Sequence, residues 1–178
     1  TFLYAGTPFI SLNRAVNVAG MKDRLDKVVD LFLELSLRSV KFKFIIIGLS
    51  KEDYTTCVPR HQEPLFTEEK IEFLGKRSHN ETLAQLTKVD FMINFREKNR
   101  MTEAGVSTKV VESVSLGIPV VMNLIGDTFN YLVKGVSGFV LTGDNDADIK
   151  LIYSLCKLSM RDRLELKKQC YEQRAFSP

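Results

Sequence analysis

Just past the middle of the chain, five residues have the types and spacing expected at the start of an anion-binding helix. Gly105 permits unusual backbone angles, and either Ser107 or Thr108 can cap the helix that follows. Lys109 adds a positive charge in the first turn, and Glu112 lies one turn further along. Backbone N–H groups at such a start bind phosphate, and a carboxylate one turn in can accept hydrogen bonds from sugar hydroxyls. The combination predicts a site for a nucleotide sugar rather than for a phosphate alone.

Short apolar runs that alternate with helical patterns must position these residues. The predicted strands are 2–5, 42–47, 71–74, 89–93, 118–122 and 138–141. Helices are predicted from about residues 25, 78, 107, 146 and 160, with a short helix over 126–133 and a helix remnant plus loop over 50–70. Strands that are apolar almost throughout and alternate with helices favour a doubly wound, Rossmann-like α/β domain with a parallel sheet flanked by helices. Ligands of such sheets bind at the carboxyl ends of the strands.

The bulk composition is that of one globular domain. The chain has 178 residues, of which 44% are apolar and 26% charged. The longest apolar runs are far shorter than the roughly 20 residues that cross a bilayer. A net charge of +3 does not indicate nucleic acid, and three cysteines outside any metal-ligand spacing fit a reducing compartment. The first residues form a strand with no initiator Met or signal peptide, which favours a fragment of a longer protein.

The order and spacing of several motifs resemble a known family. The motifs are Tyr4-Ala-Gly6 with Lys22-Asp23, Ile71–Gly75, Ser107–Glu112, Leu116–Val120, and Gly126-Asp127 leading to Gly135–Phe139. Together they resemble the donor-binding C-terminal domain of GT-B fold retaining glycosyltransferases, the group 1 or family 4-like enzymes that include bacterial polysaccharide-assembly enzymes. The likeness covers essentially the whole chain. It implies that residues 1–178 bind a UDP- or GDP-linked sugar, and that an N-terminal acceptor domain is absent from this chain.

One motif departs from the family pattern. The usual signature has two glutamates separated by seven residues, and the second of them is Glu112 here. Ala104 stands where the first glutamate belongs, and Glu103 lies one residue too early. The chain is similar to the subgroup in which a small-Thr-Lys-x-x-Glu element replaces this signature. Glu112 therefore carries over as the ribose ligand, and Glu103 as a weaker donor contact.

The resemblance also implies roles for other residues. Ser107, Thr108 and the amides around them would face the diphosphate, and Gly6 would form the first donor-binding turn. Lys22 matches the family's phosphate-binding lysine. The turn formed by Lys76, Arg77 and Ser78 would lie beside the nucleobase.

The expected chemistry follows from charge. Cleavage of the bond between the anomeric carbon and the diphosphate leaves negative charge on the departing phosphate, which fixed cations stabilise. Lys22 and Lys109 are the catalytic candidates. The arginine that accompanies them is open among Arg14, Arg96 and Arg100, since the family's usual position holds Thr7.

No metal and no cofactor are expected. Asp144-Asn-Asp146 has the look of a metal-binding triplet but precedes a predicted helix, which favours a loop and N-cap. Neither His61 nor His79 is assigned to catalysis, since His79 lies in a capping-box pattern.

Plainer interpretations compete with these assignments. The positive charge of Lys109 opposes the helix macrodipole. In the plainer interpretation, Lys109 is an ordinary surface lysine. Arg96, Lys98 and Arg100 would form a solvated loop or a docking surface for anionic lipid.

Two other functions stay open: a GT-B type sugar-nucleotide epimerase, and a non-enzymatic nucleotide-binding module of receiver or flavodoxin type. The expected location is cytoplasmic, or peripheral on the inner face of the plasma membrane. The acceptor implied by the family is a lipid-linked glycan, and no nucleic-acid partner is expected.

Overall fold

A parallel sheet forms the centre of the computed structural model, which describes residues 1–8, 22–62 and 70–176. Its strands are β1 (Phe2–Ala5), β2 (Phe44–Ile47), β3 (Ile71–Gly75), β4 (Phe91–Asn94), β5 (Val120–Asn123) and β6 (Gly138–Leu141). All neighbouring pairs are parallel, in the order β3-β2-β1-β4-β5-β6. The predicted doubly wound α/β fold is confirmed.

Helices cover both faces of this sheet. They are α1 (Leu25–Ser36), α2 (Lys51–Cys57), α3 (His79–Leu86), α4 (Arg100–Glu103), α5 (Thr108–Ser115), α6 (Asn145–Lys157) and α7 (Met160–Glu172), with 3-10 turns at Pro59–His61 and Thr128–Tyr131. One apolar core joins α1, α2 and α6 to the sheet, and a second joins α3, α5 and α7 to the opposite face. This two-sided burial explains why the strands are apolar throughout.

The element bounds differ from the predicted ones mainly at strand starts. The strands β2, β4 and β5 each begin two residues later than the apolar runs do, because the first residues of those runs lie outside the ladder. The predicted loop after β4 contains the short helix α4. The predicted short helix over 126–133 is a 3-10 turn. A capping box at Ser50 and Asp53 starts α2, in the segment predicted as a helix remnant plus loop.

The strand order creates a switch point between β1 and β4. These strands are neighbours in the sheet, but the chain leaves β1 toward β2 and leaves β4 toward β5. Connections that diverge in this way open a crevice at the carboxyl ends of the two strands. The crevice is where the strand order predicts a ligand.

Two further expectations concern membrane spans and cysteines. Among the described residues, no helix has the length and apolar character that a bilayer crossing requires. Cys57 and Cys170 are buried free thiols, and Cys156 is a half-buried free thiol. Burial raises the pKa of the Cys170 thiol to about 12, which keeps it protonated.

Close backbone packing at the carboxyl edge of the sheet gives a first prediction. Gly48 has a φ of +118°, and a Cβ there would overlap the Gly6 carbonyl. We expect Gly48→Ala to lower the free energy of unfolding by about 2–4 kcal/mol in urea titrations, because backbone strain and overlap add. Gly105→Ala is the matched control, since a Cβ at Gly105 meets no atom within 4 Å. Equal stability of the two variants would contradict this packing.

Candidate functional site

A buried carboxylate lies at the switch point with cations around it. Asp23 is 2% exposed, and its Oδ2 accepts hydrogen bonds from Lys109 Nζ at 2.5 Å and from the Tyr4 hydroxyl at 3.0 Å. Its Oδ1 lies 3.4 Å from Arg96 Nε. We call Tyr4, Asp23, Arg96 and Lys109 the switch-point cluster. It brings together the end of β1, the entry to α1, the loop after β4 and the first turn of α5.

Gly6 allows this cluster to form. Lys109 begins on the α5 face of the sheet, whereas Asp23 precedes α1 on the opposite face. The lysine side chain crosses the end of β1, where a Cβ on Gly6 would overlap Lys109 Nζ and lie 3.1 Å from the Tyr4 hydroxyl. Nζ also lies 5.0 Å from the centroid of the Tyr4 ring. Gly6 therefore leaves space for the Lys109 side chain. The predicted contact between Gly6 and a donor stays a prediction.

Backbone pairing holds the entry to α1 against the loop after β4. Asp23 and Arg96 form an isolated antiparallel bridge. The amide of Arg24 donates to the Phe95 carbonyl at 2.6 Å, and the amide of Glu97 donates to the Lys22 carbonyl at 3.2 Å. Lys22 is exposed and lies directly beside the cluster in sequence. Its backbone is thus fixed at the edge of the crevice while its ammonium faces solvent.

The electrostatics favour an anion. Burial alone would raise the pKa of Asp23, but Lys109, Tyr4 and Arg96 bring it below its ordinary value. Burial lowers the pKa of Lys109, and the charges of Arg96 and Lys22 lower it further against the opposing effect of Asp23. Two cations, Arg96 and Lys109, thus lie against one carboxylate, and Lys22 adds a third positive charge near Lys109. The excess positive charge would be relieved by a bound anion.

Glu112 lies further along the same edge, facing the start of α3. It is half-exposed, and its Oε1 lies 4.0 Å from Nε2 of His79. Before His79 comes the exposed turn of Lys76, Arg77 and Ser78. A space between the starts of α3 and α5 is therefore bordered by a carboxylate and an imidazole. Carboxylate oxygens there can accept hydrogen bonds from vicinal hydroxyls.

The capping box predicted at the start of α3 is confirmed. Ser78 Oγ accepts from the Glu81 amide at 3.3 Å, and the Ser78 amide donates to Glu81 Oε2 at 2.8 Å. The Ser78 side chain is thus committed to the helix start.

The start of α5 differs from its predicted cap. Ser107 occupies the N-cap position, but its side chain makes no capping hydrogen bond, and Thr108 is the first helical residue. Among the described residues, the backbone bonds of this turn begin with the amide of Val110, which donates to the Ser107 carbonyl at 2.9 Å. The expected side-chain cap is therefore absent, and the earlier amides are left for another acceptor.

Two of the predicted site residues, Glu103 and Arg100, lie apart from the switch-point cluster. Glu103 is exposed, and its Oε1 pairs with Lys98 Nζ at 3.4 Å. Arg100 is exposed at the first position of α4. Arg14 lies outside the described residues. Arg96, in contrast, is 6% exposed, so the proposed solvated loop or lipid-docking surface of Arg96, Lys98 and Arg100 is wrong for Arg96.

Sequence reasoning missed three residues at this edge. Tyr4 and Asp23 entered only as parts of a family motif, and His79 was set aside as structural. An acidic residue between Lys22 and Arg24 was the available signal for Asp23. Nothing in the local sequence indicates that His79 faces Glu112, since α3 and α5 meet only through the fold.

The acidic triplet before α6 is structural. Asp144 is the N-cap, and its Oδ1 accepts from the Ala147 amide at 2.8 Å, as predicted. In the described parts of the chain, no three His, Cys, Asp or Glu side chains are grouped to hold a metal ion.

The buried Asp23 carboxylate predicts a pH-dependent stability. We expect Asp23→Asn to lower the free energy of unfolding by about 3 kcal/mol at pH 7, because it leaves buried cations without their counter-charge. The pKa of Asp23 lies below its ordinary value of 3.8, so its stabilisation is present above that pH and is lost as pH falls through the lower folded-state value. The difference in the free energy of unfolding between wild type and Asp23→Asn should therefore become smaller below about pH 4.

Urea titrations from pH 7 down to pH 3 would measure this gap. Asp127→Asn, at an exposed aspartate, is the control and should show little difference at any pH. A difference in the free energy of unfolding between wild type and Asp23→Asn that stays constant from pH 7 to pH 3 would contradict the assigned ionisation of Asp23.

Similar folds occur in solved glycosyltransferase structures. The GtfA/B complex matches with a TM-score of 0.68 at 14% identity, covering 97% of this chain and 32% of that chain. Anabaena HepE in complex with UDP and glucose matches at 0.62 and 16%, covering 96% and 42%. WaaG, a glycosyltransferase involved in lipopolysaccharide biosynthesis, matches at 0.65 and 12%, covering 96% and 41%. The present chain thus spans less than half the length of these proteins.

No curated protein sequence matches the chain. The family model described as glycosyl transferases group 1 matches residues 9–158, which is most of the chain. Together with the fold and the resemblance of its motifs, this match shows that the chain belongs to the group 1 glycosyltransferase family.

Proposed function

We propose that this chain is the donor-binding domain of a retaining glycosyltransferase. It binds a nucleotide-diphosphate sugar, with UDP as the first nucleotide to test and GDP as the second. The sugar is a hexose, and the acceptor is a glycan or a lipid-linked glycan. The observation that carries the proposal is the excess of cations at the switch point, next to an uncapped helix start.

The diphosphate fits the first part of the site. Lys22 and Lys109 lie on two sides of the β1 carboxyl end, and the amides at the start of α5 lack a side-chain cap. Backbone amides and ammonium groups are the usual ligands of phosphate oxygens. A diphosphate carries two or more negative charges, which match the cations left over after pairing with Asp23.

The nucleoside fits the second part. Glu112 is one turn into α5 from the proposed phosphate site, and its carboxylate is half-exposed. It would accept hydrogen bonds from the ribose hydroxyls, with the base lying toward Lys76 and Arg77. A groove beside this turn is lined by Ile47, Leu74, Arg77 and residues of α3.

The arrangement supports transfer by stabilising the leaving group. When the bond between the anomeric carbon and the phosphate oxygen breaks, the electron pair stays with the diphosphate. Lys22, Lys109 and the amides of α5 would bind that developing charge more strongly than the charge of the ground state. We propose that this suffices without a metal ion.

The ligands bound in similar structures support the choice of nucleotide. The pneumococcal GtfA structure contains UDP and GlcNAc, and one Anabaena HepE structure contains UDP-glucose. Both proteins are much longer than this chain, which covers 31% of the first and 42% of the second. We therefore propose that a further N-terminal domain binds the acceptor, and that the isolated chain binds donor without turnover. We also propose action in the cytoplasm, or at the inner face of the plasma membrane.

Calorimetry with UDP and GDP tests the proposal. We expect weak binding of one of them by this chain, and Glu112→Ala should weaken that binding roughly ten-fold or more, because the ribose loses a charged hydrogen-bond acceptor. Glu165→Ala, at an exposed glutamate of α7, is the matched control and should bind as wild type does.

Two results would contradict the proposal. Failure of both nucleotides to bind would overturn the donor-domain assignment. Unchanged binding by Glu112→Ala would overturn the role of Glu112 alone.

A further inference from the structure

Resting on the proposed function, we propose that Arg96, and not the exposed Arg100, binds the donor diphosphate together with Lys22 and Lys109. The family places this arginine in the turn after β1, where this chain has Thr7. The geometry assigns the task to a different loop, the one that follows β4.

The guanidinium of Arg96 is nearly buried, and its Nε has no hydrogen-bond acceptor among the described residues. Its side chain is 7% exposed, and its closest charged neighbour is Asp23, 3.4 Å from Nε. Nε itself is fully buried without a hydrogen bond. A buried N–H of a charged group therefore lacks an acceptor in the described part of the chain.

An arrangement of this kind is costly for a folded protein. Arginine stays protonated, so burial cannot be relieved by loss of a proton, and Asp23 already shares its charge with Lys109. A ligand with several anionic oxygens would supply the missing acceptors. The planar guanidinium binds phosphate through two parallel hydrogen bonds, a geometry that a lysine cannot reproduce.

Asn94 gives a second observation at the carboxyl end of β4. It is the last residue of β4, two positions before Arg96, and its side chain is completely buried. Among the residues that the structure describes, neither its amide nitrogen nor its amide oxygen has a hydrogen-bond partner. Buried polar groups in folded proteins are nearly always paired, so two unpaired groups at one strand end indicate a polar occupant.

Asp23 is the positioning residue for this arginine. Its backbone is bridged to Arg96, and its carboxylate contacts both Arg96 Nε and Lys109 Nζ. The carboxylate therefore holds two cations from different loops at one edge of the sheet. Arg100 has no comparable anchor, because it is exposed at the start of α4.

The test compares nucleotide with nucleoside. UDP and uridine are titrated by calorimetry into wild type, Arg96→Gln, Arg96→Lys and Arg100→Gln. If GDP is the nucleotide that wild type binds, GDP and guanosine replace them. We expect Arg96→Gln to weaken binding of the diphosphate about 10- to 100-fold and to leave nucleoside binding unchanged, because only the phosphate contact is lost.

The remaining variants separate charge from geometry. Arg96→Lys keeps the charge but loses the paired hydrogen bonds, so its affinity for the diphosphate should lie between those of wild type and Arg96→Gln. Arg100→Gln removes an exposed arginine four positions away and should bind as wild type does. Unfolding curves for each variant confirm that binding is measured on folded protein.

The outcomes distinguish this inference from the function on which it rests. The assignment of Arg96 would be overturned if Arg96→Gln bound the diphosphate as tightly as wild type does, or if Arg100→Gln lost this binding instead. The donor-domain proposal would stand in either case. An equal loss of nucleoside and diphosphate affinity in folded Arg96→Gln would also overturn it. Absence of wild-type binding to either nucleotide would overturn both.

Discussion

The ion pair between Asp23 and Lys109 joins parts of the chain that are 86 positions apart in sequence. It links the entry of α1 on one face of the sheet to the first turn of α5 on the other. Gly6 leaves room for this link, because a Cβ at that position would overlap Lys109 Nζ where it now lies. It also fixes where Arg96 lies, since the same carboxylate faces its Nε. This contact and the backbone bridge between Asp23 and Arg96 together set the geometry of the switch point.

Such a pair is a poor way to stabilise a fold and a good way to prepare an anion site. Removing charges from water costs several kcal/mol per ion, about as much as their attraction returns. Here the balance is left incomplete, because Arg96 and Lys109 share Asp23 as the single carboxylate of the cluster, and Lys22 adds a third positive charge near Lys109. A bound diphosphate would complete the balance, and preorganised cations need little rearrangement as charge develops on a leaving phosphate. This arrangement is that of a site whose charges are already in place before the ligand binds.

The sequence predicted the parts of this protein that local rules determine. Apolar runs marked the strands, and the capping pattern at Ser78 and the N-cap at Asp144 both formed as expected. Prediction failed where distant segments meet. The cap expected from Ser107 is absent, and spacing alone gives no sign that Lys109 turns across the sheet edge toward Asp23. The burial of Arg96 likewise depends on backbone pairing between two loops, which no local pattern encodes.

The most direct test of the account is a crystal structure of this chain with bound UDP, or with GDP if calorimetry selects it. The account predicts diphosphate oxygens within hydrogen-bond distance of the Arg96 guanidinium and of Lys109 Nζ, with the ribose hydroxyls on the Glu112 carboxylate. It also predicts that Asp23 keeps its contact with Lys109. A nucleotide bound elsewhere on the domain, or a diphosphate that leaves Arg96 and Lys109 untouched, would contradict the central claim.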